Sequence, residues 1–263
     1  MPSERPASSV PLHDRDFGGE GSPPLVILHG MLGSSRNWQT VGRDLAARRR
    51  TIALDLRNHG ESPHAAVMTY DSMVADVLAW LDVRAIGAAD FIGHSMGGKV
   101  AMVLACRHPE RVRRLVIVDI APKPYAWPAH RVEFAAMGGL DLASLRSRAE
   151  AESRLETDIP EWPMRKFLVS SLERTPVGWS WQFNLPILAA SLPELERNPL
   201  APADRFTGPT LFVVGGKSRY VLPEDVDAIR AHFPAARVET LAGSGHNPHI
   251  DAREAFVAAV SSD

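Results

Sequence analysis

Short, unbroken apolar runs punctuate the chain, and amphipathic or helix-favouring stretches separate them. Leu25–Leu28, Thr51–Leu54, Arg114–Val118 and Thr210–Val214 each read as a buried parallel strand, and so does a run ending at Phe91 and Ile92. Val10 to Phe17 reads as an edge strand closed by the turn Gly18–Gly21, and Arg237 to Leu241 as a last strand. Helical spacing places Trp38, Val41 and Leu45 on one face of a helix from Asn37 to Arg48. Thr69 or Asp71 can cap a helix running to about Leu81. Further helices are expected over Lys99–Ala105, after Pro223, and from Asp251 to Val260 with Phe256 and Val260 inward.

Between Ala121 and Thr207 this alternation stops. Prolines recur (among them Pro122, Pro128, Pro160, Pro176 and Pro193), helical patches appear, and no strand is expected. Residues 1–9 read as a loose tail, and no internal repeat is present. Strands alternating with helices on either side of one helical insertion predict a mostly parallel, twisted α/β sheet with right-handed crossovers and helices on both faces. Loops at the carboxyl ends of the strands then form the site. His29, Ser95, Asp119, Ser218 and His246 all follow strand ends.

A length of 263 residues suits one large domain carrying an insertion. A formal net charge of −2 argues against a nucleic-acid partner. Arg48–Arg50, the densest basic run, falls at a helix end, where cations complement the helix dipole. A single cysteine, Cys106, permits no internal disulfide and is read as packing. No apolar run reaches membrane-span length, and the N-terminus lacks the apolar core of a signal peptide, so a cytoplasmic location is expected.

The candidate chemistry centres on Phe91-Ile92-Gly93-His94-Ser95-Met96-Gly97-Gly98. A G-x-S-x-G match between a strand and a helix is the context of a nucleophile elbow, a sharp turn that lifts a serine oxygen clear of the sheet. Gly93 and Gly97 leave room where side chains would collide with the adjacent strand and helix. The same five residues can also make a plain glycine-rich turn. A serine nucleophile needs a base, an acid to orient it, and an oxyanion hole. Of ten histidines, His246 lies in a glycine turn between the last strand and the last helix, and His249 is its close rival. His94 should splay away from its neighbour Ser95. The backbone amides of Met96 and Met31 are the expected oxyanion donors, with Gly30 and Gly33 letting the second loop approach.

The segments HGMLGSSRNW (29–38), DLRNHGESPH (55–64), GHSMGGKVA (93–101), VDIAP (118–122) and GSGH (243–246) together resemble the α/β-hydrolase-fold serine hydrolases over nearly the whole chain. The set is most similar to small bacterial carboxylesterases and to the mitochondrial abhydrolase-domain-eleven proteins. That resemblance implies a core of residues 1–121 and 208–263, with residues 122–207 as a helical cap. It also implies Asp119 as the acid and Ser218 as a supporting residue where most of the fold carries a carboxylate. A turn cap before Pro122 is the other reading of Asp119, while Asp55 reads as a loop brace. Trp127, Trp162, Trp179, Trp181, Phe134, Phe167 and Phe183 either line an acyl pocket or fix the cap. The implied activity is hydrolysis of small-molecule carboxylic esters, including acyl thioesters, without metal or cofactor. The alternatives are a C–C bond hydrolase, a perhydrolase and a non-catalytic receptor of the same fold.

Overall fold

The computed structural model describes residues 9–262, and the tail expected over residues 1–9 lies, except for Ser9, outside them. The strands are β1 (Asp14–Asp16), β2 (Leu25–Leu28), β3 (Thr51–Leu54), β4 (Ala89–His94), β5 (Val112–Val118), β6 (Leu172–Thr175), β7 (Gly178–Trp181), β8 (Thr210–Gly215) and β9 (Ala236–Leu241). The helices before the insertion are α1 (Gln39–Ala46), α2 (Tyr70–Val83) and α3 (Met96–Arg107). The insertion carries α4 (Pro128–Gly138), α5 (Arg148–Arg154), α6 (Trp162–Ser170) and α7 (Leu185–Glu196). The chain closes with α8 (Val226–His232), α9 (Pro248–Asp251) and α10 (Arg253–Ser261). Seven strands form one sheet in the order β1-β3-β2-β4-β5-β8-β9, parallel except at β1.

The apolar runs are continuous because both faces of the sheet are covered. Leu25, Ile27, Ile92, Val116 and Val213 pack with Trp38, Val41, Leu45, Phe256 and Val260. Their alternate neighbours Val26, Leu28, Phe91, Leu115, Ile117 and Phe212 pack with Met73, Val77 and Val100 from α2 and α3. The residues expected inward on the first and last helices are therefore the ones buried. Thr69, not Asp71, caps α2, with its hydroxyl accepting from Ser72 N at 3.1 Å. Cys106 is half-buried, and burial pushes its thiol up to about 12, in keeping with packing. Among the described residues no helix is long and apolar enough to cross a membrane.

Two expectations need correction. The insertion is not wholly helical, since β6 and β7 form an antiparallel hairpin. Trp179 and Trp181, two residues apart, make a short alternating pair that the surrounding prolines obscure, and both pack against the main core. The edge strand is three residues rather than eight. Val10 N donates to Asp76 Oδ1 at 2.7 Å and His13 N to Ser62 Oγ at 2.8 Å, so side chains replace the ladder before Asp14.

A fully buried ion pair ties the loop after β3 to α2. Arg57 Nε and Nη2 meet Asp76 Oδ2 and Oδ1 at 2.6 and 2.7 Å. Removing one partner leaves an uncompensated buried charge. Asp76→Ala is expected to destabilise the fold by about 3–5 kcal/mol, read from the urea midpoint. A loss below about 1 kcal/mol, the level of an exposed pair, would contradict that account.

Lys99 joins α3 to the insertion. It is fully buried, and its Nζ donates to the carbonyls of Leu195, Glu196 and Arg197 at 3.4, 3.3 and 2.5 Å, with the rings of Tyr125, Trp127 and Tyr70 around it. Burial pushes the ammonium down to about 7, against the raising influence of Glu196. A lowered folded-state pKa means that the unfolded chain binds more protons between about 7 and 10.5. Stability should therefore rise with pH across that window, and the contribution is lost as pH falls through 7. Lys99→Met should flatten this alkaline rise in thermal melts, and a rise kept in full would assign it to other groups.

Candidate active site

The sheet register brings the candidate residues together. His94 lies opposite Val118, so the next residues, Ser95 and Asp119, emerge side by side from β4 and β5. Ser95 N donates to Val118 O at 3.1 Å and Asp119 N to Val213 O at 2.9 Å. Both residues have a φ of 50°, a left-handed conformation that costs free energy in a residue with a Cβ. Ser95 sits between β4 and the first turn of α3. A Cβ at Gly93 would lie 2.4 Å from Gly97 O, and one at Gly97 would lie 2.4 Å from Leu28 O. No side chain fits at either position, so strand, turn and helix close tightly around the serine.

Asp119 is fully buried and both its carboxylate oxygens are engaged. Oδ1 accepts from Gly215 N at 2.9 Å, while Oδ2 accepts from Ser218 Oγ at 2.5 Å and is paired with His246 Nδ1 at 2.7 Å. Among the described residues no amide of its own turn donates to this carboxylate. Ser218 touches the carboxylate and, among the described residues, makes no hydrogen bond to His246. Asp55 braces its loop as expected, accepting from Ser35 N at 2.6 Å and Glu61 N at 3.0 Å.

His246 is about a quarter exposed. Its Nε2 and the Ser95 hydroxyl are both without a hydrogen-bond partner among the described residues. His94 turns away from Ser95, as expected, but is not idle: its Nε2 bonds the His246 carbonyl at 2.9 Å and so fixes the turn that carries His246. The rival His249 is nearly fully buried, stacked on Trp38 with ring centroids 4.1 Å apart and planes 7° apart. Burial, with the neighbouring His246, pushes it down to about 3. Burial likewise holds His94 well below the usual histidine range, with His249 and His246 adding to the effect.

The loop after β2 closes the other side. His29 bridges its own Gly30 carbonyl at 2.8 Å and the Leu56 amide at 3.0 Å, so Nδ1 carries the proton and Nε2 accepts. A Cβ on Gly30 would come within 3.3 Å of Ser95 Cβ. Gly30 thus brings this loop against the serine. Neither the Met31 nor the Met96 amide has an acceptor among the described residues. A cavity of about 230 Å³ lies beside this loop, lined by Leu32, Gly33 and Ser34 and, from the insertion, Ser171, Gln182 and Phe183. The aromatic residues of the insertion divide: Trp127, Phe134 and Phe183 are buried, Phe167, Trp179 and Trp181 are partly buried against the core, and Trp162 is more than half exposed. Sequence reading missed the parts taken by His94 and by Tyr220, whose ring lies on His246 with centroids 3.7 Å apart. Neither carries a local signal beyond its nearness to Ser95 or Ser218.

A parallel sheet with an elbow serine, and a paired aspartate and histidine at the ends of later strands, defines a hydrolase-type α/β site. The family model described as alpha/beta hydrolase fold matches residues 23–253, and the chain belongs to that family. It is 36% identical over 261 residues to the sn-1-specific diacylglycerol lipase ABHD11 of Mus musculus, covering 96% of this chain and 85% of that protein. It is also 36% identical over 237 residues to the esterase YbfF of Escherichia coli, covering 90% and 91% of the two chains. A solved marine microorganism esterase superposes with a TM-score of 0.92 at 32% identity, over 95% of this chain and 98% of that one. The resemblance carried by the sequence motifs is thus borne out.

Proposed function

We propose that the protein hydrolyses carboxylic esters through an acyl-enzyme on Ser95. The observation that carries this reading is the 2.7 Å contact between buried Asp119 and His246, beside a serine held at a φ of 50°. His246 Nε2 takes the hydroxyl proton as Ser95 Oγ attacks the ester carbon. The carbonyl oxygen becomes an oxyanion, held by the amides of Met31 and Met96. Collapse breaks the acyl–oxygen bond, and His246 gives its proton to the departing alcohol. Water then attacks the acyl carbon, His246 takes its proton, and the carboxylic acid leaves as Ser95 regains its hydrogen. Asp119 holds the imidazole and favours the imidazolium formed in each attack. Among the described residues Ser95 and His246 make no hydrogen bond, which fits a site whose catalytic hydrogen bonds tighten only on substrate.

Residues 122–207 act in this reading as a cap that walls the substrate from water. A diacylglycerol lipase and an esterase among the relatives make glycerides and simple carboxylic esters the substrates to try first. Turnover of chromogenic esters of increasing acyl length tests the reading, and no hydrolysis across the series, glycerides included, would overturn it.

The base must be neutral to accept a proton, so kcat/KM should rise with pH as His246 loses its own. His94 and His249, held neutral by burial, should add no second step. His246→Ala should abolish the rise with most of the activity. His249→Ala should mainly cost stability, through the lost Trp38 stack. The reverse ranking would move the base to His249.

A further inference from the structure

The imidazole of His246 is held by more than Asp119. The Tyr220 ring stacks on it with planes 16° apart and centroids separated by 3.7 Å. Tyr220 is itself fixed at both backbone ends. Its N donates to Ser218 Oγ at 3.1 Å, the same hydroxyl that donates to Asp119. Its carbonyl accepts from Tyr125 OH at 2.7 Å, and that hydroxyl also accepts from Ala121 N at 2.8 Å. The two tyrosine rings are 5.6 Å apart. Among the described residues the Tyr220 hydroxyl makes no hydrogen bond. What Tyr220 brings to His246 is therefore its ring face.

An aromatic face is negative and attracts a cation laid over it. The titratable groups around His246 are the Asp119 carboxylate, His94 at 4.8 Å between ring centroids, His249 beyond it, and Tyr220. The two neighbouring histidines stay neutral, so they add no positive charge to oppose protonation of His246. Charge on the imidazole is thus met by Asp119 at its edge and by Tyr220 on its face.

We propose that Tyr220 is a positioning residue for the reaction set out above: its ring keeps His246 aligned between Asp119 and Ser95 and stabilises the imidazolium formed as Ser95 attacks. The inference rests on the Ser95–Asp119–His246 reading. Tyr125, at the start of the insertion, acts one step further out by holding Tyr220 through its hydroxyl.

The experiment measures ester turnover per active site, with sites counted by fluorophosphonate titration. Tyr220→Leu is expected to lower kcat about tenfold, the size of a partly buried cation–π contact, with KM little changed. The acid limb of its kcat/KM profile should move to lower pH, because the imidazolium has lost a stabilising partner. Tyr220→Phe keeps the ring face and should retain nearly full activity. Tyr125→Phe should fall in between. If Tyr220→Leu does not fold, Tyr220→Met fills the space without an aromatic face and takes its place. Unchanged kcat per site in the aliphatic variant overturns the proposal. So does a fall in kcat with the acid limb unmoved, which marks packing alone, or a Tyr220→Phe protein as slow as the aliphatic one. Failure of the probe to titrate any site in the unmodified protein is a separate result: it removes the Ser95 reading and this proposal with it.

Discussion

Replacing Ser95 with alanine is expected to lower kcat by about 10⁴–10⁶-fold while leaving the thermal midpoint nearly unchanged. The two halves of this expectation have one structural source. The Ser95 hydroxyl has no hydrogen-bond partner among the described residues, so its removal leaves no buried donor or acceptor stranded. The backbone keeps its left-handed turn, because Gly93 and Gly97 still close around it and alanine meets the same steric cost as serine. What disappears is the oxygen that the proposed mechanism uses to form the acyl bond. The activity left should be what the oxyanion amides and substrate binding supply to a water attack. A fluorophosphonate should label Ser95 and no other residue. Near wild-type turnover in Ser95→Ala, or a label found elsewhere, would end the acyl-enzyme reading.

Asp119→Asn should cost about 10³–10⁴-fold in kcat, with the fold retained. An asparagine can occupy the same volume, but it brings no charge to the imidazolium and can stabilise the wrong imidazole tautomer. Ser218→Ala should cost about tenfold or less, the scale of one lost hydrogen bond, because Asp119 keeps Gly215 N and His246 as partners. Ser218 Oγ lies 2.5 Å from the very oxygen that His246 binds. A carboxylate introduced there starts beside the imidazole, so Asp119→Asn with Ser218→Asp should recover part of the lost activity. Of Asp225 and Asp227, the acids just beyond Ser218, Asp225 is taken up by Lys123 Nζ at 2.5 Å and Leu222 N at 2.8 Å. A larger loss in Ser218→Ala than in Asp119→Asn would refute this assignment of the acid.

Much of the architecture was legible in the sequence because its signals are local. Four-residue apolar runs bounded by turn residues gave β2 and β3 their observed limits. The stripe Trp38, Val41, Leu45 and the pair Phe256, Val260 named the faces that two helices bury. The spacing of Gly93, Ser95 and Gly97 specified a turn whose glycines the structure leaves no room to replace. Ser95, Asp119, Ser218 and His246 also gather at the carboxyl end of the sheet, since each follows a strand end and parallel pairing aligns those ends.

Contacts between distant segments decided the rest. The β6–β7 hairpin stayed hidden because its alternation is short and lies among prolines. What orders it is Trp179 and Trp181 packing on the main core. The edge strand lost most of its length to side chains of Asp76 and Ser62, about 50 to 66 positions away, which took its amide hydrogens. His246 and His249 look alike in the sequence. They differ in the fold because one meets the Asp119 carboxylate and the other is pressed, uncharged, against Trp38. The same holds for His94 and Tyr220, whose contacts with His246 span 152 residues and 26 residues of chain. Periodicity and turn chemistry fix which segments become strands and helices, since those depend on neighbours within a few residues. Which imidazole is paired and which is dry depends on the surroundings that only the packed sheet and its insertion create.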